Sequence, residues 1–434
     1  MGFRRFLASL LCVSKAQADT DSILPITKDF ITSSSSISSA STASMRTSNR
    51  SQQILDKASG RAMVIQEFIS SEETYVNLLE EFDDIYIQSA CAPLTFGTGG
   101  KLSREVTLDT ALTPDERRTM FNGLQEILSL HRKLVLPKFF AATQVLLTQG
   151  DDRDGLRSTH AAFEVCQVIC KFADLFKMYS AYSATCDNAT AKLTQWTNRA
   201  DMVRQDKNRV QAYLAKCKVN KKHSQINMTG YLLLPVQRLT RYKMLLEQLE
   251  KYTPAPPTGT RDYIGEALAR ISAILVYVND YKRDLDARSR LCHWADQISS
   301  VGPSPLVQPH RTLIREGPVN FIARGALPQN TSRTLKHRHV DESKRSIGTV
   351  NKMCMAILCQ DLLVLVDNVA NKQKGKLELV DVVRLSAMGK ARVEWGNVVV
   401  FEAYDTEQVS YYLQADDQEI AQGWVDAINK STRS

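Results

Sequence analysis

The sequence has no run of apolar residues long enough to cross a membrane. Its longest ones, such as 6–13 and 354–359, fall far short of the ~18 residues that a membrane-spanning helix needs. Apolar residues nevertheless make up 43% and charged residues 24% of the 434 residues, which excludes wholesale disorder and allows a sizeable core. At ~150 residues per domain, this length predicts a multidomain protein with two or three domains.

Motifs for metal, redox and nucleotide chemistry are also missing. The nine cysteines contain no C-x-x-C pair, and none of the seven histidines stands in a metal-ligand spacing. The segment 97–101 superficially resembles a phosphate-binding loop, but Thr95 and Leu102 break the G-x-x-x-x-G-K-[ST] pattern. The net charge of +8 is too small and too dispersed to indicate nucleic acid. We therefore expect no metal, no cofactor and no nucleic-acid partner, and we find no catalytic motif.

Residues 1–54 are predicted to be a disordered, Ser/Thr-rich tail with a short apolar and basic start. Ser, Thr and Ala dominate 31–51, so this segment has too little apolar area to offset its ordering entropy. Two interpretations of the start stay open. Arg4 and Arg5 before the apolar stretch 6–13 are typical of a secretory signal. Alternatively, apolar residues of this stretch could share one helical face, with the two arginines nearby, and this arrangement would suit contact with anionic lipid.

Residues 55–292 are predicted to form an elongated all-α bundle of about six long helices. Apolar residues recur there at spacings of three and four, as buried helix faces require. The periodic segments are 62–79, 114–148, 158–186, 189–217, 224–252 and 260–290. A cluster of prolines and one glycine then predicts a linker over 293–311.

Residues 312–432 are predicted to form a seven-stranded antiparallel β-barrel capped by a C-terminal helix. The β-rich runs are 313–322, 353–360, 362–366, 377–385, 392–394, 398–403 and 410–414. Asp416 and Asp417 precede the last helical pattern, where an acidic start suits the positive end of a helix dipole. We expect this helix to plug an open end of the barrel, with Trp424 as a structural anchor.

One helical segment carries two distinct faces. An apolar stripe predicted to face the core comprises Leu232, Val236, Leu239, Tyr242, Leu246 and Leu249. A second, mixed stripe contains Leu233, Gln237, Arg241, Met244 and Gln248. From the pattern alone this second face is either an ordinary solvated surface or a docking surface for another protein. The same two interpretations, a solvated surface or a docking surface, apply to Glu67 on the first predicted helix.

The segments around these faces are similar to a known family. RAMVIQEFISSEETYVNLL at 61–79 resembles the first conserved region of the Dbl-homology (DH) exchange factors for Rho-family GTPases, and LLLPVQRLTRYKMLLEQL at 232–249 resembles the third. YVNDYKRD at 277–284 is similar to the end of the last DH helix. The C-terminal part, with AILCQDLLVLV at 356–366, resembles the pleckstrin-homology (PH) domain that follows a DH domain in this family.

This resemblance implies a guanine nucleotide exchange factor without covalent chemistry of its own. Carried over by position, Glu67 engages switch I of the GTPase, whereas Arg241 and Asn279 engage switch II. Gln237 lies on the same contact face, and Leu233 helps to select among GTPases. The implied partner is a Rho-family small GTPase. A catalytically inactive DH–PH scaffold is the alternative, and a secreted enzyme would need a catalytic constellation that the sequence lacks.

A long basic segment interrupts the strand pattern at 323–352. It contains seven Lys or Arg residues but only two acidic residues, which predicts attraction to an anionic membrane lipid or phosphoinositide. A loop whose charges are merely solvated is the open alternative. The candidate lipid-binding residues are Arg333, Lys336, Arg338, Lys344 and Arg345. We therefore expect a cytoplasmic protein that associates peripherally with membranes.

Overall fold

The structure is a computed structural model. It describes residues 39–97, 105–147, 152, 154–198, 202–224, 226–257, 259–299, 305–325, 347–367, 376–404 and 408–432. By its internal contacts the chain divides into Met1–Gln53 and Ile54–Ser434, and the second unit holds a helical part followed by a β part. No helix in the described ranges is long and apolar enough to cross a bilayer.

The helical part consists mainly of α-helices. Their bounds are α1 Ser39–Phe82, α2 Gln88–Cys91, α3 Pro114–Phe121, α4 Leu124–Leu130, α5 Leu136–Leu147, α6 Leu156–Phe172, α7 Tyr179–Thr197, α8 Arg204–Lys218, α9 Met228–Tyr252 and α10 Tyr263–Gln297. Single π-helical turns at Asp83–Ile87 and His131–Val135 and a 3-10 segment at Ala173–Met178 interrupt them. The helical prediction is confirmed, although three predicted runs are divided: 114–148 among α3, α4 and α5, 158–186 between α6 and α7, and 189–217 between α7 and α8.

Helix α1 begins inside the segment for which the sequence predicts disorder. Ser39 is its first residue. The difference has a simple cause, since a helix that packed residues have already nucleated can extend through Ser, Thr and Ala at little cost. The apolar and basic start of the chain lies outside the described residues.

The core of the helical part contains one face of each long helix. On α9, five residues of the predicted apolar stripe are buried, but Val236 is 39% exposed, so its assignment to that stripe was wrong. Pro235 is the buried residue at this turn. Because successive helical residues point ~100° apart, Val236 is rotated out of the core.

A two-stranded antiparallel ribbon in the helical part was not predicted. Strands β1 (Leu94–Gly97) and β2 (Glu105–Leu108) pair directly, with Leu94 opposite Leu108. Leu94 and Phe96 are buried against the helices, and Asn208 of α8 donates a hydrogen bond to the carbonyl of Gly97 at 3.2 Å. The ribbon therefore shields part of the bundle core.

The β part is a seven-stranded antiparallel sheet followed by one helix, as predicted. Its strands are β3 Leu313–Gly325, β4 Ile347–Cys359, β5 Leu362–Asp367, β6 Leu379–Arg384, β7 Arg392–Glu394, β8 Val398–Tyr404 and β9 Gln408–Gln414. They are hydrogen-bonded in the order β6-β5-β4-β3-β9-β8-β7. In the described strands β6 and β7 do not pair, so the sheet is an open, sandwich-like fold instead of a closed barrel. This corrects one detail of the predicted fold.

The C-terminal helix α11 (Gln418–Ser431) closes this sandwich. The Asp417 side chain caps it by accepting a hydrogen bond from the backbone N–H of Ile420 at 2.7 Å. Trp424 is buried among residues of both halves of the sheet, which confirms its expected role as a structural anchor.

The end of α10 attaches the helical part to the sheet. The helix continues past residue 292, and Leu291 and Ile298 share an apolar cluster with strand residues such as Val364. The indole of Trp294 donates a hydrogen bond to the carboxylate of Glu316 at 2.6 Å. Arg311 pairs with Asp361 at 2.6 Å. Residues on both sides of 300–304 thus make specific contacts with the sheet.

Candidate functional site

Two of the predicted site residues contact each other directly. Glu67 on α1 and Arg241 on α9 form an ion pair in which the guanidinium donates to the carboxylate. The Glu67 side chain is 32% exposed and the Arg241 side chain 27%, so solvent and a binding partner can reach both. The pair joins the two helices whose segments carry the family resemblance.

The exposed face of α9 continues from this pair along the helix. Gln237 is exposed, Leu233 is 37% exposed and Met244 is 46% exposed. The helix repeat places these side chains on the face opposite the buried Leu239 and Leu246. We call the surface formed by Glu67, Leu233, Gln237, Arg241 and Met244 the α1–α9 face.

Asn279 lies on the neighbouring helix α10. Its side chain is exposed, whereas Ile274 and Val278 of the same helix are buried. Helix α10 packs against α9, which brings Asn279 to a helix next to the α1–α9 face. Among the described residues Asn279 forms no hydrogen bond with Glu67 or Arg241. The structure therefore places four of the five predicted residues on two paired helices and the fifth on an adjoining one.

A buried polar network lies directly beneath the α1–α9 face. Glu72 on α1 and Arg238 on α9 form an ion pair, and the Tyr242 hydroxyl donates to Glu72 at 2.6 Å. Arg238 also donates to the Ser71 carbonyl at 3.2 Å. Its guanidinium lies over the Tyr242 ring, 4.5 Å from the centroid. These contacts fasten α1 to α9 one turn away from Glu67 and Arg241.

The network extends from Glu72 to two further helical segments. The Nδ1 atom of His131 lies 2.5 Å from the Glu72 carboxylate, and because an ionised carboxylate can only accept, the imidazole donates. The Tyr179 hydroxyl lies 2.7 Å from the other imidazole nitrogen and 3.0 Å from the Tyr75 hydroxyl. Glu72 therefore connects four parts of the bundle.

Burial and charge oppose each other at Glu72. Burial alone would raise the pKa of this carboxyl, but the Arg238 charge and the hydrogen bonds from His131 and Tyr242 lower its pKa to about 2. Glu72 consequently stays ionised at neutral pH. Burying an ion pair of this kind has a desolvation cost in free energy, but the pair specifies one arrangement of the helices that it joins. Here those helices are α1 and α9, which carry the exposed site residues.

The residues of this supporting layer were not predicted from the sequence. Glu72 and Arg238 are charged residues in positions that the helical spacing places on buried faces. Glu72 follows Phe68 by four residues and precedes Val76 by four, and both of these are buried. A charge at such a position was the available signal, because buried charges require partners.

The candidate lipid-binding residues lie outside the described part of the chain. Arg333, Lys336, Arg338, Lys344 and Arg345 all fall between β3 and β4, in 326–346. Within the described ranges no cluster of His, Cys, Asp or Glu could hold a metal ion. A shallow groove of about 530 Å³ lined by Leu130, Leu134 and Leu175 contains none of the predicted site residues.

A comparison with protein families finds a RhoGEF domain in the helical part. The family's model matches residues 64–279. This range begins in α1 before Glu67 and ends in α10 at Asn279, so it contains all five predicted GTPase-binding residues. The chain belongs to the RhoGEF family. The α1–α9 face of this RhoGEF protein is therefore a surface of its family domain.

Curated relatives of this RhoGEF chain are about 25% identical to it over the aligned segment. The mouse FYVE, RhoGEF and PH domain-containing protein 2 is 26% identical over 261 residues, which cover 60% of this chain and 34% of the relative. The mouse phosphatidylinositol 3,4,5-trisphosphate-dependent Rac exchanger 1 protein is 25% identical over 274 residues, covering 62% of this chain and 14% of the relative. The matches thus span about a third or less of these relatives.

Solved DH/PH structures share the fold of both parts of the chain. The linker-DH/PH domains of p115-RhoGEF align with a TM-score of 0.58 and 18% identity, covering 87% of this chain and 98% of that one. The DH/PH domains of PDZ-RhoGEF in complex with GTP-gamma-S-activated RhoA align with a TM-score of 0.59 and 17% identity, covering 87% of this chain and 95% of that one. The helical part is a DH (RhoGEF) domain, and the β part has the fold of a PH domain.

Proposed function

We propose that this chain is a guanine nucleotide exchange factor that activates a Rho-family small GTPase. The observation that supports this most directly is the pairing of Glu67 with Arg241 on an accessible surface of a RhoGEF domain. Exposed Leu233 and Met244 beside the pair supply the apolar area that a protein interface needs at its centre.

The comparisons support the proposed class of partner. The PDZ-RhoGEF DH/PH domains bind activated RhoA, and three of the relatives are named as Rac exchangers or Rac exchange factors. These proteins support a partner from the Rho family for this chain. We assign the GTPase to the α1–α9 face, with Leu233 helping to select among family members.

The proposed mechanism is a linkage between two binding events. A GTPase holds its nucleotide through phosphate and magnesium contacts of its switch regions, so a protein that prefers the displaced switch conformation lowers nucleotide affinity. Glu67 holds switch I away, while Arg241 and Asn279 stabilise a switch II arrangement that disfavours magnesium. GTP, which is more abundant than GDP in cells, then reloads the empty site.

The network beneath the face has a positioning role in this mechanism. Glu72, Arg238 and Tyr242 hold α1 and α9 at a fixed separation, so Glu67 and Arg241 keep a fixed mutual geometry before the GTPase arrives. Preorganised recognition groups lose less conformational entropy on binding. The rigid pair of helices therefore favours one switch conformation over others.

The PH domain is proposed to bring the exchange domain to a membrane. The basic residues of 326–346, which include Lys336 and Lys344, would attract anionic headgroups at ~1 kcal/mol per charge near the surface. Peripheral attachment of this kind concentrates an exchange factor at the surface where its partner is activated. Phosphoinositide recognition is the more specific form of the same proposal.

Release of fluorescent GDP from a panel of purified Rho, Rac and Cdc-type GTPases tests the proposed function. The full chain should accelerate release from at least one of them, and Glu67→Ala should abolish the effect. Glu80→Ala is the matched control, because Glu80 also pairs across helices, with Arg132 at 3.0 Å, and lies outside the α1–α9 face. A folded chain that accelerates none of the panel but still binds a GTPase would favour the inactive scaffold.

A further inference from the structure

The turn that follows helix α8 presents an exposed valine among lysines. Val219 is 79% exposed, more than any other large apolar side chain in the described ranges. Lys216, Lys218 and Lys221 beside it are exposed as well. From 207 to 246 the sequence contains no acidic residue. A protruding apolar side chain and a local excess of positive charge therefore coincide here.

The backbone of this turn is held in place by buried contacts. The thiol of Cys217 donates to the Ile85 carbonyl at 3.4 Å, and the Tyr213 hydroxyl donates to the Tyr86 carbonyl at 2.9 Å. On the other side of the turn, the His223 imidazole lies 2.9 Å from the Tyr86 hydroxyl. The exposure of Val219 is consequently built into the fold, because both flanks of the turn are anchored to the bundle.

Most of the lysines here have no acidic partner. Lys222 lies 3.4 Å from Asp84, but no ion pair of Lys216, Lys218 or Lys221 occurs within the described residues. Lysines in a last helical turn also complement the helix dipole, which accounts for Lys216 and Lys218. The helix dipole does not account for Lys221, which follows the helix, or for the exposure of an apolar side chain to solvent.

We propose that residues 216–223 form a membrane contact of the DH domain, in which Val219 enters the interface of an anionic leaflet and the lysines contact its headgroups. The turn offers a single exposed large apolar side chain, whereas a stable protein interface buries ~800 Å² per partner on a complementary surface. An anionic bilayer requires only shallow apolar insertion and positive charge. This contact is separate from nucleotide exchange and from the basic segment of the PH domain.

Flotation of the full chain with phosphatidylcholine vesicles that contain about one fifth phosphatidylserine tests the contact. Val219→Asp should lower the bound fraction about threefold or more, because a carboxylate resists insertion and repels the headgroups. Val219→Leu should retain binding. The matched control is Val203→Asp, since Val203 is 71% exposed and precedes the same helix that Val219 follows.

A pair of lysine variants tests the electrostatic part. Lys218→Ser combined with Lys221→Ser should weaken binding to the acidic vesicles, whereas Lys57→Ser combined with Lys251→Ser, two exposed lysines elsewhere on the helical part, should not. Both comparisons are repeated in a chain whose PH-domain basic residues are replaced by serine. Those residues are Arg333, Lys336, Arg338, Lys344 and Arg345.

Equal vesicle binding by Val219→Asp and Val203→Asp, with both chains folded by circular dichroism, would overturn the proposal. A full chain that does not bind acidic vesicles would overturn it too. Binding to polyglutamate that depends on Val219 and Lys221, with unchanged vesicle binding, would assign the turn to an acidic protein partner instead. All of these readouts are independent of GDP release.

Discussion

Arg241 donates a hydrogen bond to Glu67, so two side chains that the family resemblance assigns to different switch regions of a GTPase contact one another in the unbound chain. Both side chains are about one third exposed or less, with 32% for Glu67 and 27% for Arg241. A GTPase that engages both has to share or break their ion pair. Because a partly exposed pair contributes only ~0.2–1 kcal/mol, this rearrangement costs little compared with the contacts it allows.

The first prediction concerns the separate contributions of these two residues. Glu67→Ala and Arg241→Glu should each lower the rate of GDP release by about tenfold or more, which corresponds to ~1.4 kcal/mol of lost transition-state stabilisation. The midpoint of thermal unfolding should change little, because substitutions of partly exposed residues usually alter stability by less than ~1 kcal/mol. Nucleotide-release kinetics and a melting curve on the same samples give both quantities.

The Glu80–Arg132 pair provides the control for this experiment. Glu80→Ala removes an ion pair of α1 in the same way, with side-chain exposures of 35% and 62% for the two partners. Its rate of GDP release should equal that of the unmodified chain. Normal exchange by Glu67→Ala together with a large fall in melting temperature would show that Glu67 stabilises the core, and its assignment to the contact face would be wrong.

The second prediction separates the ion pair from recognition of the GTPase. A chain with Glu67→Arg and Arg241→Glu can still form an ion pair, with the acidic and basic residues exchanged between the two helices. Its melting temperature should therefore lie close to that of the unmodified chain. Its exchange activity should stay as low as that of the single variants, because each switch region now meets the wrong charge. Recovery of exchange in the double variant would mean that the pair acts only by holding α1 and α9 together.

The sequence predicted the exposed residues better than the residues that support them. Leu233, Gln237 and Arg241 share one face because the helical repeat determines which side chains point together, and this needs no tertiary information. Their assignment, together with Glu67, to contact with a GTPase came from the family resemblance. The pairing of Glu72 with Arg238 depends on how α1 packs against α9, which the period of one helix cannot reveal.

Other differences between the predicted and the observed structure also have specific physical causes. Val236 fits a heptad spacing, but the buried residue at that turn is Pro235, and a heptad does not repeat evenly on a straight helix of 3.6 residues per turn. The ribbon of β1 and β2 was missed because each strand has only four residues, too few for a clear alternation. The open edge between β6 and β7 depends on sheet curvature, which strand patterns do not encode.

The third prediction concerns the pH dependence of stability. The pKa of Glu72 is lowered from an ordinary 4.5 to about 2 in the folded chain. A depressed carboxyl pKa contributes stability that is present above the unfolded pKa and is lost as the pH falls towards the folded one. The free energy of unfolding should therefore fall between about pH 5 and pH 2, with this residue contributing roughly 3 kcal/mol of the loss.

Chemical denaturation of the unmodified chain and of Glu72→Gln at several pH values measures this contribution. At neutral pH the variant should be less stable by ~3–5 kcal/mol, because it leaves the Arg238 charge buried without its partner. Its stability should also vary less over the acidic range. An equally steep loss in both chains would assign the acid sensitivity to other carboxyls, such as Glu116, whose pKa the hydrogen bonds from Arg209 also lower against the effect of burial.

The fourth prediction is that the basic segment of the PH domain recruits the chain to anionic membranes by electrostatic attraction. Several positive charges in one segment can approach headgroups together without a shaped pocket, and their attraction is screened over ~8 Å at physiological ionic strength. Binding of the full chain to phosphatidylserine vesicles should therefore weaken steeply as salt rises from ~50 mM to ~500 mM. Simultaneous replacement by serine should lower binding at low salt, and the residues replaced are Lys336, Arg338, Lys344 and Arg345.

The matched control for this segment replaces basic residues of the same domain that already have acidic partners. Arg324 pairs with Asp381 at 3.0 Å, Lys352 pairs with Asp367 at 2.7 Å and Arg392 pairs with Glu394 at 2.6 Å. Because these charges are compensated locally, their replacement by serine should change vesicle binding much less than replacement of the four residues in the segment. A phosphoinositide pocket would give a different salt dependence of vesicle binding. A shaped site for a multiply charged headgroup retains part of its affinity at high salt, whereas attraction by a basic segment alone does not. Vesicle binding that persists at high salt after all four residues are replaced would show that the segment is merely solvated. Another surface would then hold the chain at the membrane.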